Sequence, residues 1–559
     1  MSSTADGPAT VEESVGGGED AGSPRLGDAV GALAGAFGQG RVVARETARL
    51  GRELVKITVG RSEVAPARSD RRFLDPAWTV NPLYHRVEQG YLASTKAVGG
   101  VLEEWGRHTD QRRAYEASFA ASILTSALAP TNFLPTNPAA TKEAFDTAGM
   151  SLLRGARNFA SDLRRNGGMP SMVEPGAFTV GTDLALSPGA VVSRDPVAEV
   201  LQYTPTTAKV YERPVLVVPP PIGRFYFLDL RPGRSFVEHA VAQGLQTYMM
   251  SWRNPQAEQG DWDLDTYAAR VSVAIDEVRE ISGHDDVNVI GFCAGGIIAT
   301  TLLNHLAAQG DQRVHSMSYA VTMLDFGDPV QLTAFAGPRL VRFAKGRSRR
   351  KGVISARDMG SAFTWMRPDD LVFNYVVNNY LMGRKPPAFD ILAWNADGTN
   401  LPGALHGQFL DIFAGNLLAE PGAMTVLGTP IELARITVPT FVSGAIADHL
   451  TAWKSCYQTT QMLGGDSTFI LSSSGHIASL VNPPGNPKSH YWEGSKPGPD
   501  PEAWLEKATR RQGSWWQPWA AWEAKRSGRK ITASTTLGSN DHPPLDPAPG
   551  RYARDLPPA

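Results

Sequence analysis

Cys293 lies in a short motif that could carry nucleophilic chemistry. The run GFCAGG (291–296) follows the apolar segment VNVI (287–290) and opens an apolar helical pattern that continues to Gly310. Glycines placed around a central nucleophile predict a sharp strand-to-helix turn that holds its side chain clear of a sheet. The helix N-terminus at such a turn favours a thiolate. The alternative interpretation is a structural cysteine in a glycine-rich turn, such as one that holds a nucleotide phosphate.

An acid and a base follow this cysteine in the order that such a turn requires. Asp448 comes after the strand-like run FVSG (441–444), and His476 comes after ILSS (470–473). Asp448 lies 155 residues after Cys293, and His476 lies 28 residues after Asp448. The shorter spacing fits one helix and one strand, whereas the longer spacing leaves room for an insertion. The three residues therefore predict a Cys-His-Asp triad.

Four other residues compete for these roles. His449 adjoins Asp448 and is either a loop residue or part of the site wall. Cys456 falls on a predicted helix face and is expected to be core packing. Asp397 and His406 offer another acid and base inside the insertion, but no predicted strand precedes them. The sequence contains neither metal-ligand spacing nor a phosphate-binding loop with its lysine, so we expect no metal site.

Backbone amides are expected to complete the reaction centre. The N–H of Ala294, directly after the nucleophile, is one predicted oxyanion donor. The loop VVPPPIGRFYF (217–227) is expected to supply the other, and Ile222 carries its first amide after three prolines. A cysteine at this turn, where serine is usual, indicates acyl transfer from a thioester donor such as acyl-CoA. Exchange between thioesters keeps the acyl group activated for a later alcohol.

Composition narrows the functional class. The 559 residues carry 54 Lys and Arg against 56 Asp and Glu, and a net charge of −2 disfavours a nucleic-acid-binding protein. Two cysteines exclude a disulfide scaffold and a four-cysteine zinc site, and they fit a reducing compartment. The N-terminal residues are mostly small, polar and acidic, and they lack the basic start and apolar core of a secretory signal. The sequence contains no run of about 18 apolar residues, so it predicts no transmembrane helix. We expect a large cytoplasmic globular protein.

Strands and helices that would position these residues alternate from about residue 200. Their rhythm predicts a doubly wound, mostly parallel α/β sheet. Between about 325 and 435 the rhythm lapses into aromatic, Asn and Pro residues, which predicts a cap insertion over the sheet. The predicted strands span 214–221, 245–252, 287–291, 316–324, 438–444 and 467–473.

Four regions are expected along the chain. Residues 1–70 are predicted to be a disordered tail and an amphipathic helix, 71–200 a helical N-terminal domain, 201–530 the catalytic domain and 531–559 a loose C-terminal tail. The amphipathic helix, at about 41–59, has apolar residues on one face and basic residues elsewhere. It either packs on the body of the protein or touches an apolar or anionic surface.

Ordered motifs from residue 72 to the C-terminal tryptophans resemble the single-subunit polyhydroxyalkanoate synthases, which polymerise (R)-3-hydroxyacyl-CoA into storage polyester. The resemblance implies an α/β-hydrolase-like catalytic domain with a mobile cap, and it carries the catalytic roles onto Cys293, Asp448 and His476. One departure is Gly223-Arg224, where the family often has Asn-Lys. The matching motifs are RFLDPAWTVNPLYHR (72–86), APTNFLPTNPAA (129–140), PPPIGRFYFLDL (219–230), SWRNP (251–255), GFCAGG (291–296), WNADGTNLP (394–402), DHLTAWKSCY (448–457) and SGHIASLVNPPGNPKS (474–489).

The same resemblance implies a function and partners. We expect polymerisation through a cysteine thioester with release of CoA, which arrives with the substrate, so that no separate cofactor is needed. The implied partners are (R)-3-hydroxyacyl-CoA, the growing polyester chain, the granule surface and a second copy in a homodimer. The expected location is the cytoplasm, on polyhydroxyalkanoate granules. A cysteine-dependent thioesterase or depolymerase of the same fold is the alternative. Short and medium monomer lengths both stay open.

Overall fold

The N-terminal region is built from helices. In the computed structural model, residues 27–68, 70–327 and 337–556 are described, so the tail predicted to be disordered at 1–25 lies outside the described residues. The mainly helical character that the sequence predicts for this region is confirmed. Its helices are α1 (Gly27–Phe37), α2 (Gly40–Thr58), α3 (Ala77–Val80), α4 (Pro82–Gly106), α5 (Gln111–Ala127), α6 (Pro138–Asp146) and α7 (Met150–Arg165).

Local sequence explains where these helices begin. The Asn81 side chain accepts hydrogen bonds from the first free amides of α4, and Pro82 occupies its first position. Asn137 and Pro138 repeat this arrangement at α6. Helix α2 packs against α4, as the first of the two interpretations of the amphipathic helix expects. Its apolar face is only partly covered, because Ile57 is buried while Val55 is 64% exposed.

Short strands follow the helical region and form the frame of the catalytic domain. All six predicted strands are present as β4, β5, β6, β7, β12 and β13, with ends that differ by a few residues. The strands are β1 (Gly189–Arg194), β2 (Ala198–Tyr203), β3 (Lys209–Tyr211), β4 (Val215–Val218), β5 (Thr247–Trp252), β6 (Val287–Phe292), β7 (Val314–Ala320), β8 (Val353–Ile354), β9 (Leu401–Pro402), β10 (Thr425–Val426), β11 (Thr429–Pro430), β12 (Thr440–Ala445), β13 (Ser467–Ser472), β14 (His490–Glu493), β15 (Thr509–Gln512), β16 (Lys530–Thr532) and β17 (Asp546–Pro547).

Eleven of these strands form one sheet in the order β15-β14-β13-β12-β7-β6-β4-β5-β2-β1-β17. The six central strands, from β13 to β5, run parallel, and the outer strands pair antiparallel. Because the central strands are parallel, their carboxyl ends share one edge, where loops can meet. The predicted doubly wound α/β sheet is confirmed.

Helices cover both faces of the sheet. Helices α9 and α10 contribute to the apolar core on one face, and α8 and α18 contribute to the core on the other. The helices that follow β4 are α8 (Phe236–Ala242), α9 (Leu264–Ser282), α10 (Ala294–Gln309), α11 (Pro338–Lys351), α12 (Ala356–Trp365), α13 (Asp390–Ala396), α14 (Gly403–Gly415), α15 (Trp453–Met462), α16 (His476–Leu480), α17 (Pro501–Lys507) and α18 (Trp516–Ala524).

The C-terminal segment differs from the loose tail that the sequence suggested. Strand β17 pairs with β1, so the last part of the chain belongs to the main sheet. The Glu199 carboxylate accepts hydrogen bonds from the amides of Arg551 at 3.1 Å and Tyr552 at 3.0 Å. The Tyr552 side chain is buried. The prediction of a loose tail is therefore wrong for this segment, because backbone pairing and a buried carboxylate hold it.

The insertion between β7 and β12 forms a cap that rests on the N-terminal helices. It contains α11 to α14 and two short π-helical segments, Asp369–Phe373 and Val376–Leu381. The Tyr380 hydroxyl donates a hydrogen bond of 2.9 Å to Asp162 in α7. Arg72 Nη1 lies 3.2 Å from an Asp369 carboxylate oxygen. The N-terminal region therefore supports the cap directly.

Candidate active site

Cys293 occupies the turn between β6 and α10 in a strained backbone conformation. Its φ is 49° and its ψ is −122°, which is rare for a residue with a side chain. A Cβ on Gly291 would lie 2.5 Å from the Gly296 Cα, and one on Gly295 would lie 2.3 Å from the Val218 carbonyl oxygen. The glycines are therefore needed for the close packing of strand and helix, as the motif predicts.

The structure brings the predicted acid and base together beside this cysteine. His476 begins α16 after β13, and Asp448 follows β12. The His476 Nδ1 and the Asp448 Oδ2 lie 2.7 Å apart, and their side chains are 5% and 0% exposed. The Cys293 side chain lies close enough to interact electrostatically with His476. The arrangement has the geometry of a nucleophile, a base and an orienting acid.

Burial and the nearby charges shift the pKa values of this pair in opposite directions. Burial lowers the pKa of His476, but the charges of Asp448 and Cys293 and the hydrogen bonds with both raise it, to about 10 overall. Burial raises the pKa of Asp448, but His476 and the hydrogen bonds from Thr451 outweigh burial and lower it. The protein therefore favours an ionised Asp448 that holds the imidazole in one orientation.

Thr451 supports Asp448, and the sequence argument did not single it out. Its hydroxyl donates to the Asp448 Oδ2 at 2.8 Å, while the amides of Leu450 and Thr451 donate to Oδ1 at 2.8 and 3.0 Å. An Asp followed two or three residues later by donors is typical of a side-chain-closed turn. The spacing Asp-x-x-Thr in DHLT was thus a usable signal. Cys456 is buried behind this turn, as expected for core packing.

The competing residues take other positions. His449 interacts electrostatically with Asp448 and His476, and burial followed by Arg367 lowers its pKa to about 4. It therefore lies beside the pair as a neutral side chain. His406 belongs to α14, with Nδ1 3.1 Å from the Ser348 hydroxyl. Asp397 instead accepts a hydrogen bond of 2.7 Å from the Tyr226 hydroxyl, so it does not form an acid–base pair with His406.

The two predicted oxyanion donors stand on neighbouring segments. Ala294 is the first residue of α10, and Ile222 lies in the loop after β4. The backbone of this loop packs against the first turn of α10, because a Cβ on Gly295 would come within 2.6 Å of the Pro219 carbonyl oxygen. The cap holds the same loop, since the Thr399 hydroxyl donates to the Pro221 carbonyl at 3.1 Å.

Buried tryptophans support the helix that carries His476. The Trp515 indole donates to the Ser479 carbonyl at 2.9 Å, and the Trp516 indole donates to the Leu480 carbonyl at 3.1 Å. Both rings are 1% exposed. The sequence shows a tryptophan cluster but does not reveal its contact with α16, which joins residues 36 positions apart.

The described parts of the chain hold neither a metal-binding cluster nor a membrane-spanning helix. Within residues 27–68, 70–327 and 337–556, no group of three or more His, Cys, Asp or Glu side chains is arranged to hold a metal ion. Among the helices in these ranges, none combines the length and apolar character needed to cross a membrane.

Comparison with known proteins decides the family. The model of the poly-beta-hydroxybutyrate polymerase N-terminus matches residues 69–240, and that of the alpha/beta hydrolase fold matches residues 230–483. The chain is 43% identical over 514 residues to poly(3-hydroxyalkanoate) polymerase 1 of Ectopseudomonas oleovorans, covering 92% of this chain and 91% of that protein. The chain belongs to the poly(3-hydroxyalkanoate) polymerase family. It is accordingly an enzyme of the acyltransferase type.

Other relatives of this polymerase extend the match. The poly(3-hydroxyalkanoate) polymerase subunit of Cupriavidus necator is 38% identical over 502 residues, covering 89% of this chain and 85% of that protein. A monoacylglycerol lipase structure from Paleococcus ferrophilus aligns with 59% of this chain and 99% of that chain, at 12% identity and a TM-score of 0.33. The family assignment rests on the sequence relatives, and the alpha/beta hydrolase fold on its family model.

Proposed function

We propose that this polymerase builds polyhydroxyalkanoate from (R)-3-hydroxyacyl-CoA through an acyl thioester on Cys293, with release of CoA. The observation that carries the proposal is the His476–Asp448 pair, 2.7 Å apart, beside a cysteine on a nucleophile turn. The names of the relatives supply the class of product. The CoA moiety enters with the substrate and leaves again, so the reaction needs no separate cofactor.

Acylation uses the Cys293 thiol and the His476 imidazole, which Asp448 holds in one orientation. His476 takes the proton of the Cys293 thiol, and the thiolate attacks the substrate thioester carbon. The backbone amides of Ala294 and Ile222 donate hydrogen bonds to the oxyanion, and the C–S bond to CoA breaks. The proton held by His476 passes to the departing CoA sulfur. General acid–base help of this kind contributes about 10²–10⁴-fold.

Elongation repeats this chemistry with an alcohol. His476 takes the proton of the 3-hydroxyl of another acyl unit, and its oxygen attacks the thioester carbon on Cys293. The ester forms as the Cys293 sulfur leaves, and the sulfur takes the proton back from His476. Water competes with the alcohol for this thioester, so the reaction needs a covered site. The cap suits this role, because Trp394 packs against Phe227 and donates to the Arg224 carbonyl at 2.7 Å beside the oxyanion loop.

Intact-protein mass spectrometry tests the covalent step. Purified enzyme is mixed with one equivalent of a 3-hydroxyacyl-CoA and quenched in acid, and the acyl adduct is mapped by proteolysis. The adduct is expected on Cys293, absent from Cys293→Ala and still present in Cys456→Ala, which removes the buried second cysteine. An adduct that persists in Cys293→Ala contradicts the proposal. In a parallel reaction with excess substrate, free 3-hydroxy acid in place of polymer would support a thioesterase or depolymerase.

The N-terminal helices offer a surface for the polyester granule. Several large apolar side chains of this region are exposed, and exposed apolar side chains suit contact with an apolar surface. We infer that these side chains contact the apolar polymer and that the enzyme resides on cytoplasmic granules. The exposed fractions are 72% for Leu74, 76% for Val80, 68% for Leu83, 69% for Leu128 and 87% for Phe145.

Binding assays examine the granule contact and the homodimer separately. Cosedimentation with purified polyester particles is expected to weaken when Leu83 and Phe145 are changed to Gln, while CoA release from soluble substrate is retained. Unchanged cosedimentation would contradict the granule role of these side chains. Sedimentation velocity measures whether the enzyme is the expected homodimer, and a single monomer boundary in the presence of substrate would contradict it.

A further inference from the structure

Arg224 is a buried cation at the end of the loop that carries Ile222. Its side chain is only 5% exposed, and it follows Gly223, whose φ is +87°. A guanidinium in such a position must be paired with acceptors, because an unpaired buried charge is costly. Its partners come from two distant parts of the chain.

The C-terminal segment holds one side of the guanidinium. The Arg224 Nη1 donates to the Tyr552 carbonyl at 2.8 Å, and Nη2 lies 3.6 Å from the Asp555 carboxylate. Tyr552 is itself fixed, because its amide donates to the buried Glu199 carboxylate. Asp555 also accepts a hydrogen bond of 3.1 Å from Asn254.

The cap holds the other side. The Arg224 Nε lies 2.9 Å from the Asp397 Oδ1. This contact is an ion pair without the angle of a hydrogen bond, and no other described residue accepts from this Nε. The second Asp397 oxygen accepts from the Tyr226 hydroxyl at 2.7 Å. The Arg224 carbonyl accepts from the Trp394 indole at 2.7 Å, so the cap grips both the side chain and the backbone.

We propose that Arg224 is a positioning residue, which places the Ile222 amide only when the C-terminal segment and the cap are both docked. This inference rests on the proposed function, because Ile222 matters only if an oxyanion forms. Arg224 acts through Ile222, two residues away, and does not touch the triad. Arginine suits the task because its planar fork reaches acceptors in several directions, whereas lysine presents one compact charge.

Substitutions at Arg224 are compared with a matched substitution at Arg313. Arg313 also forms ion pairs, with Asp276 and Asp311, and its side chain is 18% exposed, but it lies just before β7 and not in the oxyanion loop. The full-length variants Arg224→Gln, Arg224→Lys and Arg313→Gln are assayed for kcat and KM by CoA release from 3-hydroxybutyryl-CoA. Alkylation of Cys293 by iodoacetamide across pH reports on the triad, and thermal unfolding reports on stability.

The positioning role predicts a specific split between these measurements. In Arg224→Gln, kcat is expected to fall about 10- to 100-fold with KM changed less than about twofold, because a small displacement of a reacting group costs that much. The rate and pH profile of alkylation should stay as in wild type. Arg224→Lys should be intermediate. Arg313→Gln should lower the unfolding temperature without the loss in kcat.

Two results would overturn this role. One is a kcat within about twofold of wild type in Arg224→Lys and Arg224→Gln, since even a displacement well under 1 Å should cost more. The other is an equal loss of kcat in Arg313→Gln, which would make the effect one of general stability. If Arg224→Gln does not fold, Arg224→Lys keeps the buried charge and decides the question. Wild-type enzyme that releases no CoA would instead refute the proposed function.

Discussion

The His476 Nδ1 and the Asp448 Oδ2 lie 2.7 Å apart, and both side chains are almost completely shielded from solvent. At this depth the two groups set each other's charge, because solvent cannot screen them. The same carboxylate also binds the Thr451 hydroxyl and two backbone amides. His476 and these hydrogen bonds each favour the ionised form of Asp448, and the side chains of His476 and Thr451 can be replaced one at a time.

Removal of the Asp448 charge is expected to disable the base. In Asp448→Asn the amide cannot stabilise an imidazolium and can select the wrong tautomer of His476. We expect kcat to fall on the order of 10³–10⁴-fold. The pKa of His476, followed by NMR, should drop, because the Asp448 charge raises it. Asp411→Asn, in a cap ion pair with Lys345, is the control and should retain activity. Unaltered turnover in Asp448→Asn would rule out this acid.

Loss of the Thr451 hydroxyl should move the acid limb of the pH profile. The hydrogen bonds from Thr451 help to lower the pKa of Asp448, so Thr451→Val should raise that pKa. A carboxylate with a higher pKa is neutralised at higher pH, and activity should therefore begin to fail at higher pH than in wild type. Thr451→Ser keeps the hydroxyl and should restore the profile. The measurement is kcat/KM for CoA release, and identical acid limbs in all three proteins would contradict this role.

The sequence predicted the parts of this molecule that depend on local pattern. Alternating strands and helices and the glycine-flanked turn at Cys293 follow from residues close together in the chain, and Asp448 and His476 were chosen because each follows a predicted strand. The same argument selected this acid and base over Asp397 and His406. The predicted sheet is confirmed, and it brings Asp448 and His476 together because a parallel sheet places the ends of its strands at one edge.

Contacts between distant segments were beyond sequence reasoning. Asp546 pairs opposite Val191, and Tyr552 accepts from Arg224, across more than half of the chain. The sequence predicts a loose tail at residues 546–554, because this segment contains few apolar residues. Its order depends on the carboxylate of Glu199, which is distant in the chain. Thr451 differs from these contacts, because it lies three residues after Asp448 and the Asp-x-x-Thr spacing was a local signal that the sequence argument did not use.

Unfolding experiments across pH should reveal the contribution of His476 to stability. Its pKa is about 10 in the folded protein against 6.5 as the ordinary value, so folding strengthens proton binding. The stabilisation is complete below pH 6.5 and is lost as pH rises towards about 10. The free energy of unfolding should thus exceed that of His476→Gln most at pH 6.5 and least at pH 10. Chemical denaturation at several pH values measures this difference. If this difference instead grows with pH, folding does not raise the pKa of His476.

Substitution of Gly295 should damage both the fold and the reaction. A Cβ there would lie 2.3 Å from the Val218 carbonyl and 2.6 Å from the Pro219 carbonyl, and neither backbone atom can move without shifting the oxyanion loop. We expect Gly295→Ala to cost more than about 2 kcal/mol of stability and at least about 100-fold in kcat. Gly90→Ala in α4 is the matched control, because open space surrounds Gly90 and alanine favours a helix by up to about 1 kcal/mol. Equal unfolding temperatures and turnover in the two variants would mean that the turn tolerates a side chain at residue 295.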